Sequence, residues 1–185
     1  MNNTIVIKGQ NIFLREKKLE DAPLDYSWRL DDELSKLDAT VPIRMSYSQY
    51  LRVYEDELSY PMSWSKRFAV ETYDNTTIGN CMYYDIDLMR QQAELGIMIG
   101  DKSYWNQGFG TDVVNTLVKH IFTTTRINRI YLHTLDWNIR AQKSFAKSGF
   151  NPLEKVVRRG YNFILMELSK SEWEMQGRTE YADKS

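Results

Sequence analysis

The sequence predicts a mixed α/β or α+β domain, and three observations carry that expectation. Residues 67–99 read as strands joined by short polar turns, the pattern of an antiparallel meander. At residues 108–124 the rhythm changes, and Val113, Val114, Leu117, Val118, Ile121 and Phe122 fall on one side of a helical wheel. Beyond it, the order strand, helix, strand, strand fills residues 129–168 and implies helices packed on a sheet.

Residues 5–15 form two short strands that turn at Gly9-Gln10-Asn11. Residues 19–37 read as helix, with Asp21 as N-cap and Pro23 in the first turn, where a missing N–H costs little. A second helix starts after Ser46, carries Tyr50, Leu51, Val53, Tyr54 and Leu58, and stops before Pro61. Strands 67–72, 76–87 and 93–99 come next, with Tyr73-Asp74-Asn75 as the first turn and Met89-Arg90-Gln91-Gln92 as the second link. After helix 108–124 come strand Arg129–Leu135, helix 138–148, Gly149-Phe150, and strands 153–159 and 161–168 pivoting on Gly160. Residues 1–170 are expected to make one domain, and residues 171–185 a polar tail, tail-like from Trp173 on.

Composition removes several function classes. The chain has 185 residues with a net charge of −1, so no global field recruits nucleic acid or an anionic membrane. No apolar run approaches the ~20 residues that cross a bilayer, and the start lacks the charged and apolar regions of a secretion signal. Cys81 is the sole cysteine, which excludes an internal disulfide and fits a cytoplasmic location. With two histidines far apart, no Cys/His metal cluster is expected. Aromatic residues make up 13%, including five Trp and twelve Tyr, enough to line grooves or an interface as well as a core.

The stretch YWNQGFGTDV, from Tyr104 to Val113, has two glycines at a helix entrance. It is not a P-loop, which needs GxxxxGK followed by Ser or Thr. It fails the dinucleotide fingerprint GxGxxG at the third glycine, where Val113 stands, and the strands before it lack alternating helices. A backbone reading remains. Successive amides of Trp105, Asn106, Gln107, Gly108, Phe109 and Gly110 would converge at a helix N-terminus and favour a phosphate. Asn106 tolerates positive φ, and the glycines remove Cβ atoms from the approach. On the glycines alone, a plain helix start fits equally well.

The context is more specific. ELGIMIGDKSYWNQGFGTDVV, followed downstream by NIRAQKSFAKSGF, resembles the GNAT superfamily of N-acetyltransferases. It is most similar to the branch with the ribosomal-protein N-terminal acetyltransferases and the spermidine acetyltransferases. Trp105 stands where the family motif has Arg or Gln, and Asn106 replaces a glycine common in the branch. Asn138, Ala141, Gly149 and Phe150 match the second motif, and IFLREKKLEDA resembles the branch's opening strand and helix. The resemblance spans residues 11–168.

It implies a twisted, mostly antiparallel sheet with helices on both faces. Strands 93–99 and 129–135 would run parallel and splay to admit the ligand, acetyl-CoA as cosubstrate, with no metal. By position, the amides from Asn106 to Thr111 would hold its pyrophosphate. The backbone of Ile97, Met98 and Ile99 would bond the pantetheine arm, with the Met98 or Ile99 amide as oxyanion donor. Asn138 would bond the arm, and Phe145 would face it. The implied reaction is attack of a neutral primary amine on the thioester, with no acyl-enzyme. An alternative of a different class is a non-catalytic coenzyme A sensor or interaction module.

The amine's proton needs a base. Glu94, beside an apolar run where several relatives place a base, is the leading candidate, against an ordinary solvent-facing glutamate; Asp85 and Asp87 rank lower. Tyr83 and Tyr84 are candidates to position water, and His133 to line the site. Many relatives protonate the departing thiolate with a tyrosine at the position held here by Phe145, so Ser144, or water, takes that role. Arg140, Lys143 and Lys147 read as a solvated helix face, or else as contacts to the coenzyme's 3′-phosphate. His120 reads as structural or exposed, and Cys81 as a small core residue. Trp28, Asp31, Asp32, Glu33, Glu55, Asp56 and Glu57 lie on helices that border the acceptor cleft in the family. The acceptor is expected to be a small-molecule or peptide amine such as a polyamine, an aminoglycoside or a peptide N-terminus. Homodimers are common in the branch.

Overall fold

A computed structural model describes residues 6–182, so Ile5 and the tail residues 183–185 lie outside the described residues. Strands β1 (Val6–Lys8) and β2 (Ile12–Glu16) form a hairpin closed by Gly9 N–H donating to the Ile12 carbonyl at 2.8 Å. The meander follows as β3 (Lys66–Thr72), β4 (Thr77–Asp87) and β5 (Gln92–Ile99). Then come β6 (Arg129–Leu135), β7 (Asn151–Arg158) and β8 (Tyr161–Ser169). They make one eight-stranded sheet in the order β1-β2-β3-β4-β5-β6-β8-β7. Every neighbour pair is antiparallel except β5 with β6.

Helix α4 (Phe109–Thr124) packs its apolar stripe on one face of this sheet. Val113, Leu117, Ile121 and Phe122 are fully buried there with Ile12, Leu14, Val70, Ile78, Ala93 and Ile130. Cys81 belongs to this core, and burial pushes its thiol up. His120 packs on Phe68 and Tyr83, and burial lowers its pKa, so both residues are structural.

Three helices lie on the opposite face: α1 (Ala22–Leu30), α2 (Asp32–Leu37) and α3 (Tyr47–Ser59). The single helix expected over residues 19–37 is broken at Asp31. Its backbone is extended (ψ 122°) and its carboxylate accepts the Leu34 N–H at 2.8 Å. An aspartate inside a helical pattern competes for backbone donors, and here it caps a new helix. Asp21, expected as N-cap, makes no side-chain cap to α1. It is turned instead to Arg15. The segment from Trp173, expected to be tail-like, is helical within α6 (Lys170–Ala182). Trp173 docks on Phe122 with ring centroids 5.6 Å apart, and Glu172 accepts the Ser169 N–H at 2.9 Å. This helix is polar apart from a few anchors, so its sequence showed no apolar stripe.

Buried ion pairs fasten the second layer to the sheet. Arg15 donates to both Asp21 oxygens, at 2.8 and 2.6 Å, and to Glu71 at 2.7 Å. Lys17 pairs with Asp25 at 2.6 Å, and Asp25 also accepts from Tyr54 at 2.9 Å and Asn80 at 3.4 Å. Burial alone would raise the Asp21 carboxyl. Hydrogen bonds from Arg15 and the Lys18 backbone, with the Lys17 and Arg15 charges, outweigh it and hold the pKa below the usual carboxylate range. A depressed folded pKa contributes stability above the unfolded value, and that contribution is lost as pH falls through the folded one. Asp21→Asn is therefore expected to cost about 3 kcal/mol at neutral pH, because it leaves part of a buried guanidinium unpaired. Urea melts should also show the variant losing less stability than the parent below about pH 4.

Candidate active site

The parallel pair opens the site. Strands β5 and β6 are paired only at Gln92–Arg129, Ala93–Ile130 and Glu94–Tyr131, and they part from there on. Beyond the split, the backbone edge of residues 97–99 faces a cavity of about 480 Å³. Its walls come from Ile97, Met98 and Ile99 of β5, and from the loop residues Tyr104, Trp105, Asn106 and Gly108. Gly110 and Thr111 of α4 and the facing side of helix α5 (Ile139–Lys147) complete it, with Leu34 and Leu37 of α2 at one end.

The glycine loop has the geometry its sequence suggested. Asn106 has φ of 61°, and Gly108, the N-cap of α4, has φ of 87°. The first helical bond runs from the Asp112 N–H to the Gly108 carbonyl at 3.0 Å, so the amides of Phe109, Gly110 and Thr111 precede the helix's own bonds. A Cβ at Gly108 would have nothing within 4 Å, so the space over these amides is open. Amides at a positive dipole end beside an open concavity suit an anion.

Two expected loop residues do not line the cavity. The Gln107 carboxamide turns back to donate to the Ser103 carbonyl, and Phe109 packs edge-on against Tyr104 at 5.0 Å. Their backbone amides remain in the loop. Trp105 plays an unexpected part, since its indole N–H donates to the Ile99 carbonyl at 2.7 Å and ties the loop to β5.

On α5 the Asn138 side chain accepts the Ala141 N–H at 3.2 Å, so this residue caps the helix while it lines the cavity. Phe145 also lines it and is otherwise buried against Phe150. The Ser144 and Thr111 hydroxyls meet across the cleft at 3.0 Å. Arg140, Lys143 and Lys147, which read as a solvated face or else as contacts to the coenzyme's 3′-phosphate, are on the cavity wall, with Lys143 and Lys147 also exposed. The Arg140 guanidinium lies 3.5 Å from the Trp105 ring centroid, and burial lowers its pKa. Long side chains reach around a short helix in a way a helical wheel does not capture.

Strand β5 is held close to β4 at Met98. A Cβ on Gly79 would lie 2.1 Å from the Met98 carbonyl oxygen. Gly79→Ala must therefore push residues 98–99 away from β4. We expect about tenfold weaker coenzyme A binding by calorimetry and a stability loss of about 1–3 kcal/mol.

Glu94 lies outside that cavity, at the vertex of the split, and it is not solvent-facing. Its side chain is 5% exposed and its Oε1 is 2.7 Å from His133 Nδ1 and 3.6 Å from Arg158. Tyr84, opposite Glu94 in the β4–β5 ladder, is also hydrogen-bonded to it. Burial first, then the Glu94 charge and this bond, push the Tyr84 phenol up. Tyr83, on the other face, stacks on Phe68 in the core. His133 was only a weak candidate in the sequence and Arg158 was missed, because both contacts depend on strand register.

Half of the six acidic residues expected at the acceptor helices are engaged. Lys102 pairs with Asp31 at 2.9 Å and Glu33 at 2.8 Å, and Arg67 with Glu57. Trp28 is buried over Gly100. Asp32, Glu55 and Asp56 remain exposed. Among the described residues, no cluster of three or more metal-ligating side chains occurs, and no helix is long and apolar enough to cross a membrane.

Comparison with known proteins places this geometry. An uncharacterized N-acetyltransferase p20 from Bacillus licheniformis is 26% identical over 171 residues, covering 89% of this chain and 96% of that protein. A probable spermine N(1)-acetyltransferase from Bacillus subtilis subsp. natto is 29% identical over 101 residues, covering 52% of this chain and 66% of the relative. Among solved structures, spermidine N-acetyltransferase from Vibrio cholerae with CoA and spermine superposes with a TM-score of 0.78 at 20% identity. That match covers 88% of this chain and 98% of the other. Aminoglycoside acetyltransferase AAC(6')-Ib with coenzyme A gives 0.75 at 16% identity, covering 89% and 98%. The model of the acetyltransferase (GNAT) domain matches residues 11–151, most of the chain, and the protein belongs to that family of acetyl-CoA-dependent N-acetyltransferases.

Proposed function

We propose that this chain transfers the acetyl group of acetyl-CoA to a small primary amine of polyamine or aminoglycoside type, by direct attack on the thioester. The observation that carries the reading is the single cavity joining the open β5 edge, the amides at the start of α4 and three basic side chains of α5. Those amides suit the pyrophosphate. Arg140, Lys143 and Lys147 suit further phosphate charge, and residues 97–99 offer main-chain groups to an extended arm. The acceptor class rests on the names of the relatives and on the exposed Asp32, Glu55 and Asp56, which favour a cation.

In the reaction the amine nitrogen bonds the acetyl carbon, the carbon–sulfur bond breaks and the thiolate leaves. Of the two expected oxyanion donors, Met98 turns its carbonyl, and with it its amide, into the β4 ladder, so the Ile99 amide on the open edge faces the developing oxyanion. Ser144, the hydroxyl on α5, donates to the departing sulfur, whose thiol pKa of about 8.5 makes it an adequate leaving group with little help. Glu94 takes the amine's proton. It is four residues from Met98, about 13 Å along a strand, a gap one water cannot span, so a file of several waters carries the proton between them.

Phe145, with no proton to give, keeps a second reading in view: a coenzyme A-binding module without turnover. An acetyl-CoA screen across polyamines, aminoglycosides, amino acids and N-terminal peptides, read by mass spectrometry, tests the proposal. Acetylated polyamine or aminoglycoside is expected. Acetylation confined to peptides would overturn the acceptor class, and tight NAD(P) binding without coenzyme A binding would overturn the donor.

A further inference from the structure

A proton received at Glu94 has no direct path to water, because that side chain is 5% exposed. Exposure rises stepwise along one line of contacts: 14% for His133, then 50% for Arg158 on edge strand β7. Register produces this line. Glu94 ends the β5–β6 pairing opposite Tyr131, and His133 stands two residues further along β6, where the strands have parted. Its imidazole spans the gap back to Glu94.

His133 Nδ1 faces two groups of opposite demand. Glu94 Oε1 is 2.7 Å away and accepts, while an Arg158 guanidinium nitrogen at 2.8 Å donates. With a proton, Nδ1 satisfies Glu94; without one, it satisfies Arg158. The other charged or titratable groups around the pair are Tyr84 and Asp85 of β4, and Tyr131 and Arg129 of β6. Phe163 of β8 presents only a ring edge to the imidazole, at 6.2 Å.

We propose that His133 is a positioning residue that orients Glu94 and carries the acceptor's proton from it to solvent. The assignment rests on Glu94 as the base. An N–H bond of the ammonium breaks and its proton reaches the carboxylate through water, giving the carboxylic acid. That acid passes the proton to Nδ1, and the resulting imidazolium gives a ring proton to bulk water. No electrons change hands. Arg158 stays charged throughout and cannot relay; its guanidinium holds the ring in place.

The test uses the full chain, acetyl-CoA and the amine that gives the largest acetylation in the screen. His133→Ala should lower kcat about tenfold with the KM for acetyl-CoA unchanged, and added imidazole should restore turnover in proportion to its concentration. His133→Asn, which keeps a polar side chain but cannot pass a proton on, should stay as slow as His133→Ala without imidazole. Glu94→Gln should be slow and unresponsive to imidazole. A wild-type rate in Glu94→Gln would remove the base itself. A slow Glu94→Gln would overturn the relay alone if His133→Ala either turns over normally or fails to respond to imidazole.

Discussion

Gly108→Val is expected to weaken coenzyme A binding by about 100-fold or more while the chain stays folded. Gly108 has φ of 87°, a conformation that β-branched residues rarely adopt, so the substitution strains the loop that aims the amides. The space over its Cα is open, so a Cβ there meets no protein atom within 4 Å. Losing two charge-assisted hydrogen bonds accounts for a loss of that size. Calorimetric titration with coenzyme A measures it, and circular dichroism checks that helix content is kept. An unchanged affinity would remove the phosphate-loop assignment.

Glu94→Gln is expected to lower kcat on the order of 100-fold at neutral pH, the usual scale of a lost general base. The loss should shrink as pH rises towards the acceptor's own pKa, near 10 for an alkylamine, because free amine then needs no base. The substitution keeps size and a hydrogen-bonding group beside His133 and Tyr84, so acetyl-CoA binding should be retained. A pH–rate profile equal to the parent's would retire Glu94.

Whereas the split between β5 and β6 came only from the resemblance to the family, the strands and the helix behind the glycine loop were legible in sequence, because each rests on local period or local turn chemistry. Asn106 and Gly108 are examples: the conformations they adopt are those their residue types tolerate. What escaped was set by register and by distant partners. Glu94 and His133 are 39 residues apart, and no local pattern shows that their side chains meet. Asp21 looked like a cap because its neighbours are helical, yet Arg15 claims it from the preceding strand, β2. The α6 helix was hidden by its polarity, since Trp173 is anchored through a ring contact with Phe122 rather than through a stripe. For Arg140, Lys143 and Lys147 a wheel could not decide between solvent and ligand, because it records Cα directions and ignores side-chain reach.

The most direct measurement is thiol release from acetyl-CoA with and without the accepted amine, followed as both concentrations are varied. Direct transfer within a ternary complex predicts release only when amine is present, one acetylated amine for each thiol, and intersecting initial-rate lines. Coenzyme A binding with no release in the presence of any amine would contradict it.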